Sequence, residues 1–255
     1  MKSIDLNCDM GEMPEAVADG SQEALMQYVS SVNVACGGYA GDAATMRETV
    51  QQALRHGVSV GAHPGYEDRA DFGRKELQLA PEKIAELVHR QVLALAEIAE
   101  QCGAKIAHVK AHGALYNQAA RNRQIARAIA EGVGRWKPDA ILVGLAGSVM
   151  LEEFRSAEFS VAAEAFADRR YEPDGSLRSR KLADALLRDP EEAAEQALRI
   201  VNQSSVLASD GSVVPVVAQT ICIHSDTPGA IEIAAAVNRR LQQAAIHIAR
   251  LHSKS

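Results

Sequence analysis

Seven apolar, β-branched runs recur along the chain, near residues 3–8, 31–36, 58–62, 105–110, 140–144, 159–163 and 213–223. Stretches of helical periodicity fill most of the intervals between them. The helices carry their own punctuation. Asp42 predicts an N-cap for a helix through Met46, Val50, Ala53 and Leu54, which Gly57 ends. Pro81 suits a first helical position, and Gly103 closes that long helix just past its last turn. Asp189-Pro190-Glu191-Glu192 reads as a cap, a proline at the first position and a capping-box glutamate. Thr227-Pro228 opens a last helix with Ile231, Ala234, Ala235 and Leu241 at helical spacing. Such alternation predicts parallel strands joined by right-handed crossovers.

A short polar motif follows every one of these strands except the fifth. The motifs are Asp5–Glu12, Asn33–Asp42, Gly61–Pro64, His108–Gly113, Glu164–Arg169 and Ile223–Asp226. In an open doubly wound sheet such motifs would gather at one switch point. Spread over successive strand ends, they predict a closed or nearly closed (β/α)7 barrel whose mouth collects them. No linker, repeat or low-complexity tract interrupts the chain, so residues 1–255 read as a single domain. Residues 64–80 and 168–189 are long and charged, and are expected as loops over the mouth.

Composition narrows the function. With 255 residues the chain can bury a full core unaided. A net charge of −6 offers no basic patch for nucleic acid, and aromatics at 4% leave few platforms for bases or sugars. No apolar run reaches the roughly 20 residues that span a bilayer. The N-terminus enters a strand at once, without a signal-peptide pattern. Cys8, Cys36, Cys102 and Cys222 form no C-x-x-C pair. Reduced thiols and a cytoplasmic setting are expected. A homo-oligomer is compatible with all of this.

The candidate chemistry sits at the strand ends. Alternation points Asp5, Asn7 and Asp9 to one side, which makes Asp9 the stronger carboxylate, whereas Glu12 reads equally well as a loop cap. His63 is followed by Pro64, which turns the chain out of the sheet and presents the imidazole to the mouth. His108, Lys110 and His112 alternate in register and face one way if the strand continues. An inward lysine is costly without an anionic partner, and Asp9, Asp226 and a substrate carboxylate are the candidates. Asp9, His63, Lys110 and His112 are therefore the catalytic candidates. Asn7, Glu12, Asn33, Asp42, Arg74, Asp168, Arg169, His224 and Asp226 are candidates to bind substrate. For Arg169 a structural ion pair with Asp168 is an equal alternative. Cys8 and Cys36 read as small core residues. The chain has no G-x-x-x-x-G-K-[ST] loop, no G-x-G-x-x-G after the first strand, no G-x-S-x-G and no H-E-x-x-H.

The blocks Asp5–Glu12, Asn33–Asp42, Gly61–Arg74, His108–Asn117, Glu164–Leu177 and Ala218–Asp226 resemble, in order, the signature of the LamB/YcsF family, the A subunit of the bacterial ATP-dependent 5-oxoprolinase. The resemblance covers nearly the whole chain. It implies a (β/α)7 barrel of the glycoside hydrolase/deacetylase type. It also implies cleavage of the 5-oxoproline (pyroglutamate) lactam to L-glutamate, coupled to ATP hydrolysis, with separate B and C subunits as partners. Three positions depart from the family pattern: Tyr39 stands where a His is usual, Ala111 where a Pro is usual, and Ser225 where Gly is frequent. A metal held by Asp9, residue 39 and His63, as in related deacetylase-like barrels, is weakened by Tyr39, since a tyrosine hydroxyl stays protonated up to a pKa of about 10. Little tightly bound divalent metal is expected on this reading. Two other readings compete: a metal-dependent amidase or deacetylase acting alone through Asp9 and His63, and a non-catalytic lactam-binding subunit.

Overall fold

A computed structural model of the chain describes residues 2–252. The strands are β1 (Ser3–Met10), β2 (Ser31–Ala35), β3 (Ser59–His63), β4 (Ile106–Lys110), β5 (Ile141–Leu145), β6 (Ser160–Phe166), β7 (Ser205–Leu207), β8 (Val213–Pro215), β9 (Thr220–His224) and β10 (His247–Ile248). Between them run α1 (Pro14–Ala18), α2 (Ser21–Leu25), α3 (Ala43–Arg55), α4 (Pro81–Gln101), α5 (Gly113–Ala119), α6 (Arg123–Gly134), α7 (Val149–Ser156), α8 (Pro190–Gln203) and α9 (Ala230–Gln243).

Strands β1 to β6 pair in sequence, β6 pairs with β9, and β9 pairs back onto β1, every ladder parallel. The sheet thus closes into a (β/α)7 barrel, as the alternation predicts. At its lower end β10 adds to the first residues of β1.

Alternation gives the barrel two unlike faces. Outward-facing Leu6, Cys8, Met10, Val32, Val34, Val60, Ala62, Val109 and Ile221 are buried under the helices. They meet apolar helix faces such as Met46, Val50 and Ala53 of α3, and Ile84, Val88, Val92 and Leu95 of α4. Each large aliphatic buried there contributes about 1.5–3 kcal/mol, so this shell holds the fold. The inward face is largely polar. Ile141, Val143 and Ala162, with Leu251 packed on them, make one small separate apolar cluster, and Ala35, Tyr39 and Ala40, with Phe72, make another. Gly61 shows how tight the interior is: a Cβ there would lie 2.1 Å from Nε2 of His108, so a larger residue would displace that ring.

Several local expectations hold. Asp42 caps α3 through the Thr45 amide at 2.8 Å, and Gly57 follows its end with φ 64°. Pro81 starts α4, and Gly103 follows it with φ 80°. Three need correction. The run 213–223 is two strands rather than one: β8 pairs antiparallel with β7 outside the barrel, and β9 alone enters it. Pro215, which lacks an amide hydrogen, closes β8. Asp189 caps α8 through the amides of Glu191 and Glu192, but the Glu192 carboxylate pairs with Arg170 at 2.8 Å instead of completing a capping box. The last helix begins at Ala230 behind Gly229, not at Thr227-Pro228. The Thr227 hydroxyl is already bonded to Asp168, at 2.6 Å. Among the described residues no helix is long and apolar enough to cross a membrane.

Candidate active site

Inside the barrel, Asp5, Asn7 and Asp9 of β1 meet polar residues of β2, β4, β6 and β9. Asp5 accepts hydrogen bonds from the hydroxyls of Ser30, Ser31 and Thr220 at 2.8, 2.8 and 2.5 Å. Asn7 Nδ2 donates to Glu164 Oε1 at 3.1 Å and Thr220 Oγ1 at 2.7 Å. Asn33 Nδ2 donates to Asn7 Oδ1 and Asp9 Oδ1, each at 2.7 Å, and its own Oδ1 accepts from His108 Nε2 at 2.7 Å. Burial, seconded by the charge of Lys110, pushes the His108 pKa down to about 3, so this imidazole is neutral. Lys110 closes the network. Its Nζ lies 2.9 Å from Asp9 Oδ1 and 2.9 Å from Glu164 Oε1, while Tyr116 donates to Glu164 Oε2 at 2.7 Å. Burial alone would lower the lysine pKa, but the carboxylates beside it, Asp9 foremost, hold it well above its ordinary value.

Above Asp9 the polar groups are less well matched. His63 Nδ1 lies 2.7 Å from the backbone carbonyl of Lys110, and His112 Nε2 lies 3.0 Å from that of Phe72. A carbonyl only accepts, so those nitrogens carry the hydrogens. That leaves His63 Nε2 and His112 Nδ1 facing each other at 3.1 Å, with no carbonyl to hold a hydrogen on either. Glu12 Oε1 lies 3.3 Å from His112 Nδ1 and 4.0 Å from His63 Nε2. Asp9 Oδ2 lies 3.4 Å from His63 Nε2. Burial and the neighbouring Asp9 charge raise the Glu12 pKa to about 7. Burial opposes ionisation of Asp9 too, but His63 and Lys110 overcome it and hold its pKa well below the carboxylate range. Burial and His63 hold His112 well below the ordinary imidazole value.

Tyr39 supports this wall. Its hydroxyl donates to Glu12 Oε1 at 2.7 Å, and its ring lies flat on His112, the centroids 3.5 Å apart and the planes 5° from parallel. Gly73 lets the 64–80 loop press onto that stack. It has φ 63°, and a Cβ there would lie 2.8 Å from Tyr39 Cβ. The loop thereby delivers the Phe72 carbonyl that fixes His112.

The opposite wall holds a second acid–base pair. Buried Asp168, just past β6, accepts from His224 Nδ1 at 2.9 Å and from the Thr227 hydroxyl at 2.6 Å. The His224 ring stacks on Phe166, with centroids 5.4 Å apart. Burial works against the Asp168 charge, but His224 outweighs it and lowers the carboxyl pKa. Next in sequence, Arg169 is only 6% exposed. It donates to the Arg178 carbonyl at 2.6 Å, yet its Nε has no hydrogen-bond partner among the described residues. Burial, then the charge of Arg180, lowers its pKa to about 10, which leaves it charged at neutral pH. At the rim Asp226 is clasped by Arg74 and by Arg180, the latter at 3.0 Å.

The two walls enclose a cavity of about 680 Å³. Asp9, Glu12, His63, Lys110 and His112 line one side, Phe166, Arg169 and His224 the other, and Arg74, Lys75, Arg178, Arg180 and Lys181 make a cationic rim. Both long loops, 64–80 and 168–189, contribute to it as expected.

The sequence-derived residues therefore separate by position. Asp9, Glu12, His63, Arg74, Lys110, His112, Arg169 and His224 reach the cavity. Asp168 and Asp226 stand behind that lining as partners of His224 and of Arg74 and Arg180. Asn7 and Asn33 lie deeper, within the hydrogen-bonded interior. Asp42 does not line the cavity; its carboxylate is used as the helix cap. His112 lies past the end of β4, as the residue preceding α5, although its ring still reaches the mouth. Among the described residues the carboxylates paired with Lys110 are Asp9 and Glu164, not Asp226. Sequence patterning does not assign Glu164, Tyr116 or Arg180 to the site. Glu164 had a signal, a lone carboxylate in phase with Ala162 and Phe166 within an apolar strand. Arg180 had none, since it sits in an irregular loop.

Comparison with known proteins agrees with the resemblance seen in the motifs. The LamB/YcsF family matches residues 4–255. The chain is 48% identical over 248 residues to the 5-oxoprolinase A subunit of Chloroflexus aggregans, covering 97% of this chain and 98% of that protein. It is 46% identical over 246 residues to the 5-oxoprolinase A subunit of Bordetella pertussis, covering 96% and 98%. The lactam utilization protein from Thermus thermophilus superposes with a TM-score of 0.91 at 44% identity, covering 98% of this chain and all (100%) of that one. A family 4 carbohydrate esterase from Streptomyces lividans shares the fold alone, with a TM-score of 0.56 at 11% identity over 99% of this chain and 94% of that one. Fold, site and full-length similarity converge: the chain is a member of the LamB/YcsF family.

Proposed function

We propose that this protein opens the 5-oxoproline lactam to L-glutamate, as the A subunit of an ATP-dependent enzyme completed by B and C subunits. The observation that carries this reading is the opposition of two acid–base clusters, His63–His112–Glu12 and Asp168–His224, across one cavity that also holds the buried guanidinium of Arg169, which pairs with no carboxylate among the described residues. The names of the relatives, as A subunits of 5-oxoprolinase, support the substrate class.

A five-membered lactam is a resonance-stabilised amide whose reclosure is favoured by proximity, so hydrolysis needs both an activated carbonyl and an activated water. Transfer of the ATP γ-phosphoryl group to the lactam oxygen activates the carbonyl. That this chain's sequence has no phosphate-cradling loop supports giving that step to the partners. Asp168 holds the hydrogen on Nδ1 of His224, which leaves Nε2 free to take a proton from water adding to the lactam carbon. The ring C–N bond then breaks as the nitrogen takes the proton that His224 Nε2 received from that water. The acyl phosphate so formed reacts with a second water to give glutamate and phosphate. Positioned proton transfer of this kind contributes about 10²–10⁴ in rate. Arg169 would hold the substrate carboxylate, which gives its Nε a partner and its charge a counterion.

The test is glutamate formation from 5-oxoproline and ATP. The purified chain is expected to give negligible turnover alone and substantial turnover once B and C subunits are added. Robust glutamate production by the chain alone would contradict the division of labour.

A further inference from the structure

We propose that Glu12, His63 and His112 form a binding site for a single divalent transition-metal ion of the zinc type. Both imidazoles have their tautomers fixed from outside, His63 by the Lys110 carbonyl at 2.7 Å and His112 by the Phe72 carbonyl at 3.0 Å. Ring N–H groups tied to backbone carbonyls are the usual support of metal-ligating histidines. The remaining ring nitrogens, His63 Nε2 and His112 Nδ1, converge at 3.1 Å, and Glu12 Oε1 completes a triangle with edges of 3.3 and 4.0 Å. Lone pairs packed this closely repel one another unless a cation lies between them.

The size of the triangle fits such an ion. Ligands about 2.1 Å from a metal stand about 3.4 Å apart in a tetrahedron and about 3.0 Å apart in an octahedron. All three groups are buried, yet each borders the cavity, so a further coordination position opens toward substrate. Two nitrogens and one carboxylate oxygen suit zinc, cobalt or manganese and not calcium.

The Tyr39 substitution, which on sequence alone argues against a metal, leaves this set intact. Tyr39 is not a ligand here. Its hydroxyl orients Glu12 at 2.7 Å and its ring braces His112, so it supports the ligands from behind. The metal site stands apart from the lactam reading. Metal uptake is measured without substrate or partners, so a chain that binds metal but opens no lactam would leave it standing.

The experiment is to strip the chain with a chelator, reload it with zinc or cobalt, and measure metal content, affinity and melting temperature. One ion per chain, a raised melting temperature and cobalt absorption bands of a nitrogen–oxygen site are expected. Glu12→Gln and His112→Gln should each lose at least 90% of the bound metal, while His224→Gln, across the cavity, should keep it. Tyr39→Phe should weaken affinity by roughly 10–100-fold, as loss of a supporting hydrogen bond does. If one ligand variant fails to fold, the other decides. If both fail, the cobalt spectrum of the unmodified chain decides. Uptake well below one ion per chain, or ligand variants that retain metal, would overturn the proposal and leave a shared proton as the cation between the rings.

Discussion

Two regions of the barrel interior share Asp9 and treat polar groups in opposite ways. Below it, Asp5, Asn7, Asn33, Lys110 and Glu164 pair donors with acceptors at 2.5–3.1 Å, and among the described residues Nδ1 of His108 is left without a partner there. Above it, two imidazole nitrogens face each other beside a carboxylate, and Arg169 keeps a nitrogen unpartnered among the described residues. Asp9 gives one oxygen to each region: Oδ1 to Lys110 and Asn33, Oδ2 toward His63. The contrast separates what holds the barrel from what acts on a ligand. A satisfied buried network rigidifies a core, whereas unmatched groups persist where something else is meant to meet them.

The lower region should break hardest. Lys110→Met strands the Asp9 and Glu164 carboxylates inside the barrel, and a loss of about 3–5 kcal/mol is expected. Denaturant unfolding of the purified chain measures it. A variant as stable as wild type would show that the lysine charge belongs to the cavity rather than to the network.

The upper region should respond with the opposite sign. The folded-state pKa of Glu12 is raised from 4.5 to about 7. A raised carboxyl pKa means that the folded chain binds the proton more tightly, so stability falls as pH rises through this interval. In metal-stripped protein, Glu12→Gln is expected to remove that loss and to gain on the order of 1 kcal/mol at pH 8 relative to wild type, with little difference at pH 4. Thermal melts across pH test it. A destabilised variant at pH 8 would place Glu12 with the structural network instead.

Much of this was legible in the sequence because strand alternation and strand-end motifs are local signals. Asp9, His63, Lys110 and His112 are brought to one wall by parity and by the position of each strand end. Pattern could not say how deep a residue lies on its strand, so Asn7 and Asn33 read as substrate contacts although they sit beneath the mouth. Nor could it separate a cap from a ligand in Asp42, since either role puts a carboxylate after a strand. The break at Pro215 was hidden inside one apolar run. Arg180 and the Phe72 carbonyl depend on how long loops fold back over the barrel, which no periodicity encodes.

The central claim is that the mouth performs proton transfer on a lactam, and His224 tests it most directly. Its imidazole faces the cavity, braced by Asp168 at 2.9 Å, and lies outside the Glu12–His63–His112 set. The decisive measurement is turnover of 5-oxoproline by His224→Gln in the enzyme reconstituted with B and C subunits, alongside the variant's melting curve and metal content. A folded variant with wild-type metal content and turnover reduced by about 10²–10⁴ is the expected result. A folded variant that turns over like wild type would contradict the account.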